Sequence, residues 1–189
     1  MRILILGPQG SGKGTQAKRI AEAYGIPHVA TGDMFRAAAA DGSDLGRLVA
    51  PILAEGGLVP DDLTIELIRE RLADEDGFVL DGFPRTMPQA EALDSMLEDI
   101  GKPLDAVILL KVSDEVATER LLVRAAQEGR ADDSPEAISN RLRLYHELTE
   151  LVVDRYGQAG IEVVVDGEQS VDDVFAAIQE ELEAVTARP

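Results

Sequence analysis

The sequence predicts an α/β fold: a doubly wound, five-stranded parallel sheet with helices on both faces. Three observations carry that prediction: unbroken apolar runs of strand length, stretches of helical periodicity between them, and capping residues where one gives way to the other. Ile3 to Leu6, and Ala106 to Leu110 with Val112 beyond, are continuous rather than alternating, as strands covered on both faces are. Phe78 to Leu80 and Ile161 to Val165 are shorter runs of the same kind, and Pro27 to Ala30 is a less apolar fifth. Helical periodicity places Leu63, Leu67, Ile68 and Leu72 on one face of Asp61 to Ala73, and a second such stretch runs from Ser134 to Tyr156. Ser134-Pro135-Glu136 and Ser170-Val171-Asp172-Asp173 have the composition of helix starts.

The 189 residues suffice for one domain with a sizeable core and fall short of two ordinary ones. With 45% hydrophobic and 29% charged residues, the composition is that of a folded chain, and no apolar run is long enough for a membrane helix. Arg2 and the apolar run after it have the look of a leader sequence, but the run is short and leads straight into glycines, so it reads as a buried strand. Cysteine is absent, which removes disulfides and thiolate zinc sites, and a cytoplasmic location is the default expectation. The formal charge of −18 sets the chain against nucleic acid and membrane surfaces as partners. Residues 30–59 hold two short helical patterns, Asp33 to Ala40 and Asp44 to Ala54, with no strand, and residues 125–133 read as a short polar loop. Both are excursions from the sheet, either flaps over a site at the strand ends or ordinary connections.

Directly after the first apolar run stands Gly7-Pro8-Gln9-Gly10-Ser11-Gly12-Lys13-Gly14-Thr15, followed by a helical pattern from Gln16 to Tyr24. Strand, glycine loop and helix in that order are the setting of a P-loop. Glycines let successive backbone N–H groups turn toward one anion, the helix N-terminus adds partial positive charge, and a lysine reaches the outer phosphates. Gly10, Ser11, Gly12, Lys13, Gly14 and Thr15 are therefore the candidate triphosphate-binding residues, and the fold narrows to the P-loop nucleoside triphosphate hydrolase type. One position departs from the usual motif: the residue after Lys13 is Gly14 rather than a magnesium-ligating Ser or Thr.

That variant, Gly12-Lys13-Gly14-Thr15-Gln16, resembles the loop of the nucleoside monophosphate kinases. Four further motifs, in order along the chain, are similar to those of the adenylate kinases: Thr31-Gly32-Asp33-Met34-Phe35-Arg36, Gly57-Leu58-Val59-Pro60-Asp61, Asp81-Gly82-Phe83-Pro84-Arg85-Thr86 with Gln89, and Gly129-Arg130-Ala131-Asp132-Asp133 with Arg141. The resemblance implies reversible transfer of a phosphoryl group, ATP + AMP = 2 ADP, in adenine nucleotide homeostasis. It also implies a single kinase domain over residues 1–189, with an AMP-binding subdomain at 30–59 and a short lid at 125–133. Mg2+ would accompany ATP, structural zinc would be absent, and the chain would be a monomer.

Phosphoryl transfer asks for positioning and charge neutralisation more than for covalent chemistry, and arginine suits that task because its planar fork grips phosphate oxygens and never loses its charge. Fourteen of the eighteen basic residues are arginines, and Arg120 and Arg124 stand four apart, on one helical face. By resemblance, Lys13, Arg120 and Arg124 contact the donor phosphates, while Arg36, Arg85, Arg130 and Arg141 hold the AMP phosphate and neutralise the transition state. Asp81 positions hydrated magnesium. Thr31 and Gln89 bond the adenine of AMP, with Gly57, Leu58, Val59, Gly82, Phe83 and Pro84 completing the acceptor pocket, and the loop of Gly167-Glu168-Gln169 approaches the donor adenine. Asp132 and Asp133 bond the lid or the donor ribose, or cap the helix that starts at Ser134. His28 and His146 read as structural. Val123 and Leu151 depart from the family pattern, which has Gly and Pro there. Two other readings stay open: a kinase for UMP, CMP or another monophosphate, against which Thr31 argues, and a catalytically idle nucleotide sensor, against which the full set of arginines argues.

Overall fold

The structure, a computed structural model, describes residues 1–128 and 133–186. Five parallel strands make one sheet: β1 (Arg2–Leu6), β2 (His28–Ala30), β3 (Phe78–Asp81), β4 (Ala106–Lys111) and β5 (Glu162–Asp166), in the order β2-β3-β1-β4-β5. The connection leaving β1 leads to one side of the sheet and the one leaving β4 to the other, so a crevice opens beyond their carboxyl ends. All five sequence-read strands are present. The fifth differs in environment: as an edge strand β5 alternates, with Val163 and Val165 buried and Val164 half exposed, because only one of its faces is covered there.

Helices α1 (Lys13–Tyr24), α2 (Thr31–Asp41), α3 (Asp44–Ala54), α4 (Asp61–Leu72), α5 (Met87–Asp99), α6 (Asp114–Glu128), α7 (Pro135–Leu144), α8 (Glu150–Gln158) and α9 (Val171–Thr186) complete the described fold. Alternate residues of β1 serve two cores. Ile3 and Ile5 meet Ala17 and Ile20 of α1 and Val174, Ile178 and Leu182 of α9, whereas Leu4 and Leu6 share the opposite core with Ile68 of α4, Leu93 and Leu97 of α5 and Val152 and Tyr156 of α8. The excursion after β2 has a small core of its own, in which Phe35, Val49 and Val59 pack with Leu45 and Leu53, and Leu63 and Leu67 of α4 join it. The apolar stripe read along α4 thus faces two cores, with Ile68 and Leu72 on the sheet.

Local chemistry accounts for the helix ends. Ser43 accepts a hydrogen bond from Gly46 N at 3.0 Å and Ser134 one from Ala137 N at 3.1 Å, each satisfying an N–H that the first turn leaves unpaired. Ser170 accepts from Asp173 N at 3.2 Å. Two stretches differ from the sequence reading. Ala125 to Glu128, read as part of a loop, form the last turn of α6, and residues 129–132 lie outside the described residues. The stretch from Ser134 to Tyr156 is interrupted between α7 and α8 by a π turn over Tyr145–Thr149. Its cause is legible in the burial pattern: Ala137, Arg141, Tyr145 and Thr149 are all buried and stand four apart. A step of four in an α-helix overshoots one turn by about 40°, and an i→i+5 turn takes up the accumulated excess.

Ile68 is fully buried where α4 meets the sheet, while Leu48 on α3 is 51% exposed. Ile68→Ala should therefore cost about 2–5 kcal/mol of unfolding free energy, and Leu48→Ala should stay within about 0.5 kcal/mol of the parent. Denaturant titration of both variants checks the pair.

Candidate active site

The glycine loop between β1 and α1 lies against strand and helix so closely that side chains are excluded. Gly7 has φ 139° and a Cβ there would come 2.6 Å from the Leu110 carbonyl oxygen; Gly10 has φ 86° and a Cβ there would come 2.4 Å from that of Ala117. Lys13 turns back over the loop, and its Nζ donates to Gly7 O at 2.9 Å and Pro8 O at 2.7 Å. Burial lowers its proton affinity to a pKa of about 8; Asp81 works against that shift, and Arg85 and Arg124 add to it.

Asp81 ends β3 beside this loop. Burial alone would raise its pKa, but the neighbouring His28 ring and the charges of Lys13 and Arg85 outweigh burial and hold the carboxyl below its ordinary value. His28 Nε2 stands 3.6 Å from Asp81 Oδ2. The departure at Gly14 has its reason here, since a Cβ on residue 14 would come 3.3 Å from Asp81 Oδ2. The carboxylate would crowd the side chain of a Ser or Thr there. An ionised carboxylate beside a phosphate loop is a fitting donor for a hard divalent cation. Among the described residues, no group of three or more His, Asp or Glu side chains converges to hold an ion by itself. That donor set fits a cation held largely by water and phosphate oxygens.

One cleft of about 490 Å³ joins these groups. Of the sequence-read donor residues, Gly10, Ser11, Gly12, Lys13, Gly14, Thr15, Arg120, Arg124 and Gln169 line it, as do Asp81, Arg36, Arg85, Arg141, Gly57 and Gly82. Arg130 lies outside the described residues. In a chain of net charge −18, the cleft gathers Lys13, Lys18 and five arginines against the carboxylates of Asp33 and Asp81. Each arginine is oriented by a protein acceptor. Arg120 donates to Gly167 O at 2.8 Å, Arg85 through Nε to Gly82 O at 2.8 Å, and Arg36 pairs with Asp33. Arg124 grips Asp133 through Nε at 2.9 Å and Nη2 at 2.8 Å, and Arg141 pairs with the same carboxylate while donating to Leu53 O at 3.3 Å. Asp133 is wholly buried between α6 and α7, and the capping role open to it falls to Ser134 instead. Burial lowers Arg85 to a pKa of about 10, with Asp81 opposing and Arg141 and Arg36 reinforcing the shift.

The residues read as recognising the acceptor base sit behind this wall. Thr31, Leu58, Val59, Phe83, Pro84 and Gln89 are not among the lining residues. Thr31 is buried at the start of α2, with its hydroxyl donating to Asp81 O at 3.3 Å. Gln89 Nε2 donates to Asp61 Oδ1 at 2.8 Å, and its Oε1 accepts from Arg85 N at 2.8 Å. Those partners fix which end of the amide is which, and each end keeps one further hydrogen-bonding valence. Gln9, Gln16 and Lys18 line the cleft without having been read from the sequence, although Gln9 stands inside the loop motif itself. Thr149, whose hydroxyl donates to Arg85 O at 3.0 Å, carried no local signal, because its approach depends on the π turn. His146 bonds Glu150 and Asp114 on the surface, away from the cleft. Val123 and Leu151 are both about half exposed, on α6 and α8.

Comparison with known proteins agrees with this geometry. Residues 5–161 match the family model described as adenylate kinase. The chain is 48% identical over 181 residues to an adenylate kinase of Stenotrophomonas maltophilia, covering 94% of this chain and 97% of that one. It is 46% identical over 185 residues to an adenylate kinase of Xanthomonas euvesicatoria, covering 96% and 99%, and 48% identical over 181 residues to one from a Cyanothece species, covering 94% and 93%. A phosphate loop, an arginine-lined cleft at the strand ends and similarity along nearly the whole length converge on one assignment: the chain belongs to the adenylate kinase family.

Proposed function

We propose that this chain moves a phosphoryl group reversibly between ATP and AMP, giving two ADP. The carrying observation is that one cleft is lined by Gly10 to Thr15, including Lys13, together with Arg36, Arg85, Arg120, Arg124 and Arg141. ATP lies with its triphosphate on Gly10 to Thr15, and Arg120 and Arg124 take its outer phosphates. The AMP phosphate is held by Arg36, Arg85 and Arg141. An oxygen of that phosphate attacks the γ-phosphorus in line as the bond to the β-phosphate oxygen breaks, so no enzyme-bound intermediate and no general base are required. Guanidinium groups already oriented by Gly167 O, Gly82 O and Asp133 meet the spreading negative charge with little reorganisation. Asp81 would hold the water shell of the Mg2+ that accompanies ATP, and that ion would supply neutralisation of phosphate charge.

Residues 30–59 form the acceptor subdomain; of the lid read over 125–133, residues 129–132 lie outside the described residues. Thr31 and Gln89 select adenine, Thr31 through its hydroxyl and Gln89 through the valences left free by Asp61 and Arg85. The residues between Gly57 and Val59, with Gly82 to Pro84, wall the acceptor pocket, and Gln169 lies on the donor side. Among the described residues no helix is long and apolar enough to cross a membrane. We place the enzyme in the cytoplasm as a monomer.

Two expected outcomes test the phosphate site. Lys13→Met should lower turnover by at least about a hundredfold while leaving the far-UV circular dichroism of the folded chain unchanged. Because Lys13 must be charged and its pKa in the free enzyme is about 8, kcat/KM for ATP should fall as pH rises through that value. The corresponding sign for stability is opposite. Between pH 8 and 10.5 the unfolded chain keeps a proton that the folded one releases, so this group alone favours folding more as pH rises.

An acceptor panel of AMP, CMP, UMP and GMP tests base reading. Thr31→Ala should lower kcat/KM for AMP by about tenfold to a hundredfold and relax selectivity toward CMP or UMP. Arg85→Ala should harm all four acceptors alike. Gln89→Ala should do both, since its amide also holds the Arg85 N–H.

A further inference from the structure

Arg85 lies in the turn between β3 and α5, where its backbone has neither a sheet neighbour nor a helical partner to hold it. Its N–H is taken by Gln89 Oε1 at 2.8 Å and its carbonyl by the Thr149 hydroxyl at 3.0 Å. Thr149 belongs to a distant part of the chain and is buried, 6% exposed, against this turn. Packing between the two is incomplete: cavities of about 20 and about 10 Å³ lie there, both lined by Arg85, Tyr145 and Thr149. The hydrogen bond from Thr149 therefore links two segments that do not pack tightly there.

The π turn is the device that delivers Thr149. In an uninterrupted α-helix, three steps of four residues from Ala137 would swing Thr149 about 120° away from the face that Ala137 occupies. The widened turn returns the hydroxyl to that face, and π turns recur where a helix must aim one side chain at a functional element. From the bond, the cavities and the turn together, we propose that Thr149 is a positioning residue for phosphoryl transfer: it fixes the backbone of Arg85, so that the guanidinium reaches the acceptor phosphate from a preset place. The proposal rests on the phosphate-holding role of Arg85 given above.

Three variants test it in the intact chain: Thr149→Val, which keeps shape and loses the hydroxyl, Thr149→Ser, which restores it, and Arg85→Ala. Thr149→Val should lower kcat/KM for AMP about five- to tenfold, and by the same factor for any acceptor, since the effect passes through the phosphate. KM for ATP should stay within about twofold and Thr149→Ser should recover most of the loss, a split that a merely structural role would not produce. Thr149→Ala replaces the valine variant if that one does not fold. The proposal is overturned if loss of the hydroxyl lowers the melting temperature but spares kcat/KM for AMP, if KM for ATP rises equally, or if serine does no better than valine. Should Arg85→Ala itself spare AMP use, the phosphate-holding role of Arg85 fails; should it impair AMP use while Thr149→Val does not, only the role of Thr149 fails.

Discussion

Lys13 and Arg85 stand withdrawn from water beside other cations, and burial lowers the proton affinity of both. Holding such groups together is unfavourable, because desolvation and like-charge repulsion act in the same direction. The molecule answers with acceptors placed one by one. Asp81 lies among Lys13, Arg85 and His28, Asp133 clasps Arg124 and Arg141, and backbone carbonyls of Gly7, Pro8, Gly82 and Gly167 receive the remaining N–H groups. Each acceptor orients its cation as well as neutralising it. The arrangement that makes the gathered charge tolerable also fixes where each cation stands.

The same constraint explains the contacts between segments remote in sequence. Asp133 joins α6 to α7, and Arg141 continues the link to Leu53 O at the end of α3. Asn140 donates to Glu55 O at 2.9 Å, and a Cβ on Gly56 would come 2.3 Å from Ala137 O. The acceptor excursion and α7 therefore abut through backbone, at a place where only glycine fits. On the sheet side, Asp61 receives both Thr86 Oγ1 and Gln89 Nε2, tying the start of α4 to the start of α5. The residues proposed for phosphate and for base recognition share one frame, with Gln89 bonded to Arg85 on one side and Asp61 on the other.

Much of this was legible in the chain itself. Apolar runs marked β1, β3 and β4 because buried parallel strands carry little else, β2 and β5 gave shorter or less apolar signals, and the capping serines marked helix starts because the first turn has N–H groups that need acceptors. The phosphate loop was legible for a related reason: three positive-φ glycines, Gly7, Gly10 and Gly12, and a lysine at fixed spacing serve one local geometry. Which arginines would meet was foreshadowed by motif, and five of those named line the described cleft.

What sequence alone determined is what depends on near neighbours along the chain: strand and helix identity, the turn of the phosphate loop, and a stock of arginines in place of lysines. Tertiary structure decided the rest, because the deciding partners lie far apart in the chain. Gly14 is explained only by Asp81 across the cleft, and the edge position of β5 only by the strand order. The burial of Asp133 follows from two helices closing on it, and the bond from Thr149 to Arg85 spans 64 positions. A spacing of four could be read from the sequence as an ordinary helix. Only the surface on which Ala137, Arg141, Tyr145 and Thr149 all had to be buried required it to widen.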